Sequence, residues 1–302
     1  MTLLVQAFCR LDCWNGDNGE VVVYHGRTLT SKILFEDVIK CINEVSFVNS
    51  PYPVILSLDV HADIAGQEKM ADIMVRIFGD KLLLPDYNMT MWPSPNQLKN
   101  KIIIKNKKVP GSSQSVTSPV DSDSDSEDDE DEVAAQKEEH PVKQKHPKVK
   151  VAKKLSDITA LGTTKFSTFS EAMKLPCYRM FSISEGKVNK LVASDCASLI
   201  KYNQNHFSRS YPHGLRFDSS NYDPTPSFIS GVQMSALNTQ THCNFFRMNE
   251  FRFRENGMCG YVLKHKMLRG DTEEEKNSRT SFTKVVEIPN EKSPIKQKLS
   301  KY

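Results

Sequence analysis

The chain of 302 residues has room for one large domain or two small ones. Its 40 lysine and arginine residues nearly balance its 37 aspartate and glutamate residues, so the net charge of +3 points to no partner by itself. No apolar run reaches the roughly 18 residues that span a bilayer. The opening MTLLVQAF lacks a basic leader and a small-residue cleavage site, so we predict neither a membrane span nor a signal peptide.

The seven cysteines are odd in number and irregular in spacing, which favours reduced thiols and a cytoplasmic protein over a disulfide framework. Cys9 and Cys13 form a C-x3-C pair, but no second Cys/His pair at zinc spacing lies nearby. We therefore interpret these two cysteines as packing thiols and not as metal ligands.

Residues 1–109 alternate strand and helix patterns. GEVVVYHG reads as a short strand, and the helical spacing of apolar residues predicts a helix over Phe35–Val45. VILSLD is a second strand, a second apolar stripe runs from Met70 to Ile77 and ends at Gly79, and KIIIK is a third strand. This order predicts parallel strands covered by helices.

Residues 110–155 read as a disordered linker, acidic first and then rich in lysine. The run Asp121–Glu132 is acidic except for its three serines, and Lys143–Lys154 is mostly basic. Neither part has the apolar residues that would offset the entropy of ordering it. A solvated linker is one interpretation. The other is an acidic strap that shields a cationic surface, made more negative by phosphorylation of its serines.

Residues 156–270 continue the alternation, with the predicted helix Val188–Tyr202 and four strand segments, YRMFSIS, HFSRSYP, GVQMSALN and GYVLK. Half of a parallel α/β barrel on each side of the insert is the simplest architecture, a split TIM barrel. Residues 271–302 form a basic tail, which we interpret as the possible remnant of a following β-sandwich.

Polar residues end several of these strands, where catalytic groups of parallel barrels lie. They are His25, Asp59, Lys105, Ser182 and Arg209. Lysines and an arginine around a pocket suit a substrate with several phosphates. Aspartate oxygens suit calcium or magnesium better than zinc, and histidine is the natural acid or base near neutral pH. Each residue alone also fits a purely structural role.

Eight strings, taken in order, resemble the X and Y boxes of eukaryotic phosphoinositide-specific phospholipase C, in particular its delta-like members. They are LDCWNG, VYHGRTLTSKI, SPYPVILSLDVH, PSPNQLKNKIIIKNKK, FSISE, SRSYPHGLRFDSSNYDP, GVQMSALNTQT and GYVLK, which together cover Leu11–Arg269 apart from the linker. The resemblance implies a distorted, split TIM barrel, calcium as cofactor, and peripheral association with membranes. It also implies hydrolysis of phosphatidylinositol 4,5-bisphosphate-type lipids to diacylglycerol and inositol phosphate in intracellular signalling.

The resemblance also implies roles for individual residues. His25 matches a catalytic histidine that assists the leaving group, and Asp12 and Asp59 match calcium ligands. The residues matching the inositol phosphate site are Lys105, Lys107, Ser182 and Arg209, with Tyr211 against the sugar ring.

This sequence departs from the family pattern near its start. The family carries its first catalytic histidine and an asparagine calcium ligand in an S-x-H-N-T string, which does not occur here. Where the family reads C-R-C-hydrophobic-E-hydrophobic-D-C-W, this chain reads CRLDCW. Either Arg10 replaces the calcium-binding glutamate, or three residues including that glutamate are deleted, which is the alternative we favour. Asp59 also stands where the family has glutamate. We expect a barrel without its first strand and helix, in a chain truncated at both ends.

Three functions remain open on the sequence. The leading one is phosphoinositide hydrolysis. The second is a catalytically inactive relative that binds head groups or calcium and acts as a scaffold. Binding of nucleic acid through Lys143–Lys154 would leave the two boxes unexplained, so we expect no nucleic-acid partner.

Overall fold

The computed structural model describes residues 3–5, 7–25, 30–108, 150–216 and 218–270, the first of these only in its backbone. The predicted acidic strap and most of the linker, the serines within it and the tail 271–302 lie outside the described residues. Within the described ranges, no helix has both the length and the apolar character that crossing a bilayer requires.

The elements alternate along the chain much as the sequence predicts. The strands are β1 Leu3–Val5, β2 Phe8–Asn15, β3 Val21–Val23, β4 Ile33–Leu34, β5 Val54–Val60, β6 Ile102–Lys107, β7 Leu161–Thr163, β8 Arg179–Ser184, β9 Ser208–Tyr211, β10 Met234–Ser235 and β11 Tyr261–Leu263. The helices are α1 Phe35–Val45, α2 Ile64–Phe78, α3 Lys153–Asp157, α4 Phe169–Ala172, α5 Glu185–Asn205, α6 Thr225–Ile229, α7 Asn244–Arg254 and α8 Lys266–Arg269.

One sheet carries strands from both halves of the chain, in the order β10-β9-β8-β7-β6-β5-β2-β3-β4. From β2 to β10 all neighbours are parallel, and β6 pairs with β7 across the junction between the halves. The sheet does not close on itself within the described residues, and β11 pairs instead with β1 in a separate antiparallel ribbon. This architecture is that of a distorted, open TIM barrel and confirms the predicted fold class.

The prediction of a parallel strand at GEVVVYHG was wrong in direction. β3 runs antiparallel to β2, and the Gly16 N–H donates to the Glu20 carbonyl at 2.8 Å in the turn between them. So short a connection can join only antiparallel neighbours, because a parallel crossover needs a dozen or more residues. β4 then pairs antiparallel with β3 and forms one edge of the sheet.

Alternate residues of each strand pack on opposite faces of the sheet. On the outer face, residues such as Leu56 and Ile104 pack with Met70 and Met74 of α2. Cys13 is fully buried in the same cluster, as expected of a packing thiol, whereas Cys9 is exposed, contrary to that interpretation. On the inner face, a second apolar cluster fills the base of the open barrel; it includes Ile55, Ile103, Leu161, Met180, Phe207 and Met234.

The second half begins earlier than the sequence predicts. Residues 150–155 were expected to be disordered linker, but α3 starts at Lys153, and Ala152 and Leu155 are buried against the outer cluster. The Gln67 side chain of α2 accepts from the Ala152 N–H at 2.8 Å and donates to the Lys150 carbonyl at 2.9 Å. This contact fixes the start of the second half on a helix of the first.

Candidate functional site

A polar layer lies above the apolar base of the inner face. The register pairs Asp12 with Asp59, and Lys105 with both Ser57 and the inner-cluster residue Leu161. It also pairs Ser182 with Arg209, which pairs in turn with the inner-cluster residue Met234. Paired residues share a face, and so do residues two apart on a strand. The inner face therefore carries seven predicted site residues: Asp12, Asp59, Lys105, Lys107, Ser182, Arg209 and Tyr211.

The two aspartates form a carboxylate pair that is held by an arginine. Arg10 lies two residues before Asp12 on β2, opposite Ser57 of β5. Its Nε lies 2.8 Å from Oδ1 of Asp12, and its Nη2 donates to Oδ2 of Asp59. The side chains of Asp12 and Asp59 are only 15% and 13% exposed. Arg10 is the residue two places before Asp12 whether it replaces the glutamate of the family or three residues including that glutamate are deleted. Both alternatives therefore lead to the same geometry.

A histidine that the sequence analysis did not single out completes this cluster. Nε2 of His61 lies 3.4 Å from Oδ1 of Asp59, and the His61 ring stacks on Trp14 with centroids 3.9 Å apart. His61 stands two residues beyond Asp59, and Trp14 two beyond Asp12, so the strand alternation was a signal for both.

His25 does not stand at the carboxyl end of a parallel strand, contrary to the prediction, because β3 runs in the opposite direction. It follows Tyr24, whose N–H donates to the Asp12 carbonyl at 3.2 Å. His25 is exposed and acts electrostatically on Asp12. His25 therefore lies near the carboxylate pair even though it does not end a parallel strand.

The carboxyl group of Asp12 feels opposing influences. Burial raises its pKa, and the neighbouring Asp59 raises it further. Arg10 lowers it, as do His25 and His61, but the net pKa remains above the ordinary value. The nearby cations therefore oppose part of the increase in the Asp12 pKa that burial and Asp59 cause.

Cationic side chains lie further along the same face. Lys105 is only 1% exposed, and its Nζ donates to Oγ of Ser57 at 3.1 Å. Lys107 ends the same strand and is half-buried. The two lysines are alternate residues of one continuous strand, so they face the same way.

Three residues of β8 and β9 complete the layer. Arg209 is 2% exposed, and its guanidinium carbon lies 5.9 Å from the centroid of the Tyr211 ring. Oγ of Ser182, on the neighbouring strand, is buried and has no hydrogen-bond partner among the described residues. A buried hydroxyl without a partner is costly, and an anionic ligand on this face would supply one.

The segment after β9 is tied to the start of α5. Nε of Arg216 lies 2.5 Å from Oε1 of Glu185, Nη2 lies 2.6 Å from Oε2, and the His213 N–H donates to Oε1 at 2.8 Å. Burial raises the pKa of Glu185, but these hydrogen bonds and the charge of Arg216 outweigh it, so the pKa is lowered. The sequence analysis did not foresee this contact.

The residues around Asp12 and Asp59 do not fit a calcium site. Calcium takes six to eight oxygen ligands, whereas here two carboxylates face each other and both bind the Arg10 guanidinium. No group of three His, Cys, Asp or Glu side chains suited to a metal occurs in the part of the chain that the structure describes. The structure brings the two predicted calcium ligands together but gives them a cationic side chain as partner.

Comparison with known proteins identifies the class of this barrel. Residues 7–108 match the phosphatidylinositol-specific phospholipase C, X domain, and residues 155–267 match the Y domain of the same family. The chain belongs to the phosphoinositide-specific phospholipase C family.

The most similar relatives include delta members of that family. The chain is 40% identical over 265 residues to 1-phosphatidylinositol 4,5-bisphosphate phosphodiesterase delta-3-A of Danio rerio, covering 85% of this chain and 33% of the relative. It is 39% identical over 287 residues to the delta-1 protein of Homo sapiens, covering 88% and 37%. The chain thus spans about a third of the length of these relatives.

A solved structure agrees with the fold. The crystal structure of S. officinalis PLC21 superposes with a TM-score of 0.72 at 32% sequence identity, covering 88% of this chain and 33% of that one. The open sheet described above is therefore of the same type as the catalytic barrel of a known phospholipase C.

Proposed function

We propose that this protein is a phosphoinositide phospholipase C that cleaves phosphatidylinositol 4,5-bisphosphate-type lipids to diacylglycerol and a soluble inositol phosphate. The observation that carries the proposal is the polar layer of the inner face, where Lys105, Ser182 and Arg209 share one surface with Tyr211. The names of the delta relatives, phosphatidylinositol 4,5-bisphosphate phosphodiesterases, support the choice of substrate.

In this proposal the cationic side chains bind the head-group phosphates. Lys105 and Arg209 are nearly fully buried, where a charge-assisted hydrogen bond to phosphate is strongest. The Ser182 hydroxyl gains the partner that it otherwise lacks within the described ranges. Tyr211 offers an aromatic face to the inositol ring, and His25, beside the carboxylate pair, is the proposed acid for the leaving group.

The substrate implies a location as well. Phosphoinositides are membrane lipids, so the proposed protein acts from the cytoplasm as a peripheral membrane protein. Because the residues around Asp12 and Asp59 do not fit calcium, we assign no step of the cleavage to a bound ion.

A second candidate is head-group binding without hydrolysis, in a signalling scaffold. One observation favours it. Arg10 binds both carboxylates that the family resemblance assigns to calcium.

Vesicles that contain phosphatidylinositol 4,5-bisphosphate separate the two candidates. The full chain is mixed with them, with and without calcium, while sedimentation measures binding and release of inositol trisphosphate measures cleavage. Release supports hydrolysis, and binding without release supports the scaffold. Absence of both would contradict both candidates.

Substitutions connect either result to the inner face. We expect Arg209→Met to reduce vesicle binding or release about tenfold or more, since a hydrogen bond to a charged group contributes about 1.5–3 kcal/mol. Lys174→Met is the matched control, because Lys174 lies on the surface and pairs with Glu171, away from the polar layer. If Arg209→Met left both vesicle binding and release unchanged, the inner face would not be the site of the proposed function.

A further inference from the structure

The carboxylate pair of Asp12 and Asp59 contains its own cation. Neighbouring parallel strands hold the two carboxylates side by side in register, and Arg10 reaches both through different nitrogen atoms of one guanidinium. The carboxylates are largely buried, whereas the arginine side chain is 39% exposed. Solvent therefore reaches the arginine side chain more readily than it reaches the two carboxylates.

We propose that Arg10 is a covalently tethered substitute for a divalent cation at this pair, so that the chain binds its ligand without calcium. The part concerning the ligand rests on the proposed function, whereas the exclusion of divalent cations does not. The proposal assigns to Arg10 a role opposite to that of a metal ligand, since it holds the two carboxylates by occupying the position of the metal.

Charge favours the arginine over an ion in solution. Two neighbouring carboxylates away from water require positive charge close by. Arg10 supplies it permanently, because a guanidinium does not lose its proton in proteins. A dication at the same oxygens would have to displace the guanidinium or lie against it, and like charges at contact distance repel strongly in a partly buried site. His61 lies beside Asp59 and leaves less room for an ion to reach that carboxylate.

The position of Arg10 also means that one substitution should change the site from one that excludes cations to one that binds them. A glutamate at this place would face the same side of β2 as Asp12, and would join the two aspartates as a third carboxylate. Hard oxygen ligands grouped in this way are what calcium and lanthanide ions bind. A single substitution therefore converts the proposed exclusion of cations into their binding.

Terbium luminescence tests the exclusion on the full chain. Trp14 lies on the same face of β2, two residues from Asp12, and can sensitise an ion bound at the pair. The acidic run Asp121–Glu132 will also attract terbium. The signal of the pair is therefore defined as the luminescence that is lost in an Asp59→Asn variant and displaced by calcium.

We expect the unsubstituted chain to show no such signal. Arg10→Glu should bind terbium at the pair at least about tenfold more tightly than the unsubstituted chain, since it adds a ligand and removes a cation. Arg10→Gln, which removes the cation alone, should lie between the two. Arg76→Glu is the matched control, because Arg76 is an exposed arginine of α2. An Asp59-dependent, calcium-displaced signal in the unsubstituted chain would overturn the proposal whether or not any variant folds.

Binding of soluble inositol 1,4,5-trisphosphate, measured by calorimetry with calcium or with a chelator, tests the part concerning the ligand. Equal affinity under both conditions supports the proposal. An affinity that falls about tenfold or more in chelator contradicts it. If the chain does not bind this probe at all, the proposed function and the calcium-free ligand binding fail together, while the terbium result still decides whether Arg10 excludes divalent cations.

Discussion

One lysine of this fold is buried although its chemistry opposes burial. Lys264, which follows β11, is 1% exposed, and its Nζ donates to the Asn203 carbonyl at 2.8 Å. The same carbonyl also accepts from Nε2 of Gln233 at 2.8 Å. Burial holds the pKa of Lys264 well below its usual value. The folded protein therefore binds this proton less tightly than the unfolded chain does.

We expect Lys264→Met to stabilise the protein at neutral pH, because methionine does not carry the free-energy cost of lowering the lysine pKa on folding. The Asn203 carbonyl keeps its bond from Gln233. Since the unfolded chain binds the proton more tightly than the folded one, the gain should shrink as pH rises toward about 10.5, the usual pKa of lysine. Urea unfolding across this pH range measures it. Lys266→Met, on an exposed lysine of α8, should show neither the gain nor its pH dependence.

The sequence predicts best the residues that follow the alternation of a strand. Seven of the eight predicted site residues share the inner face, because strand alternation and the phospholipase C strings constrain the same positions. The contact of Arg10 with both aspartates could not be read from the sequence, since it depends on how β2 and β5 align. The site roles of these residues remain predictions until they are tested.

At the scale of elements, the sequence predicts which segments form strands and helices better than it predicts the direction of a strand or the ends of a helix. The helices α1 and α2 follow their apolar stripes, and Gly79 ends α2 with a positive φ of 50°. β3 was predicted parallel because its apolar residues fit either direction, and only the short turn decides. α5 begins before the predicted Val188, because Oγ of Ser184 accepts from the Lys187 N–H and caps the helix there.

The first turn of α5 carries a testable contact. Glu185→Gln should lower the free energy of unfolding by about 1–3 kcal/mol at neutral pH, because it weakens charge-assisted bonds to Arg216. The folded pKa of Glu185 is below its ordinary value. Its stabilisation is therefore present above the unfolded pKa and is lost as pH falls through the folded pKa. Thermal unfolding of both proteins at neutral and acidic pH measures the difference.

Glu171→Gln serves as control for that experiment, since Glu171 makes an exposed pair with Lys174. It should change stability by less than about 1 kcal/mol at either pH. If Glu185→Gln changed stability as little as this control does, the contact between Glu185 and Arg216 would not contribute to the stability of the fold.

At the scale of the whole molecule, the two halves form one body because they share a sheet and a helix contact. Gln67 is 2% exposed and also donates to the Ala62 carbonyl at 2.9 Å, in addition to its two contacts with residues 150 and 152. The split barrel could be predicted from the two boxes, whereas this contact could not, because residues 150–155 look like linker by composition.

Gln67→Leu should therefore destabilise the whole protein by about 2–3 kcal/mol, because it leaves buried backbone groups without partners. Urea unfolding should show one transition moved to lower urea for both halves together. Gln97→Leu, at an exposed glutamine that bonds only locally to Ser94, is the matched control. Two separate transitions in the Gln67→Leu protein would contradict a single cooperative body.

The pairing of β6 with β7 has a consequence for the sequence between them. Lys105 and Leu161 are partners in the sheet, so the residues between them form a closed loop. The entropy lost on closing a flexible loop grows only with the logarithm of its length, and each doubling costs about 0.6 kcal/mol. Insertions and deletions between Lys108 and Lys150, which leave β6 and the contacts of residues 150–155 intact, should therefore change the stability of the barrel little. The length of that part can diverge while the strands on either side stay fixed.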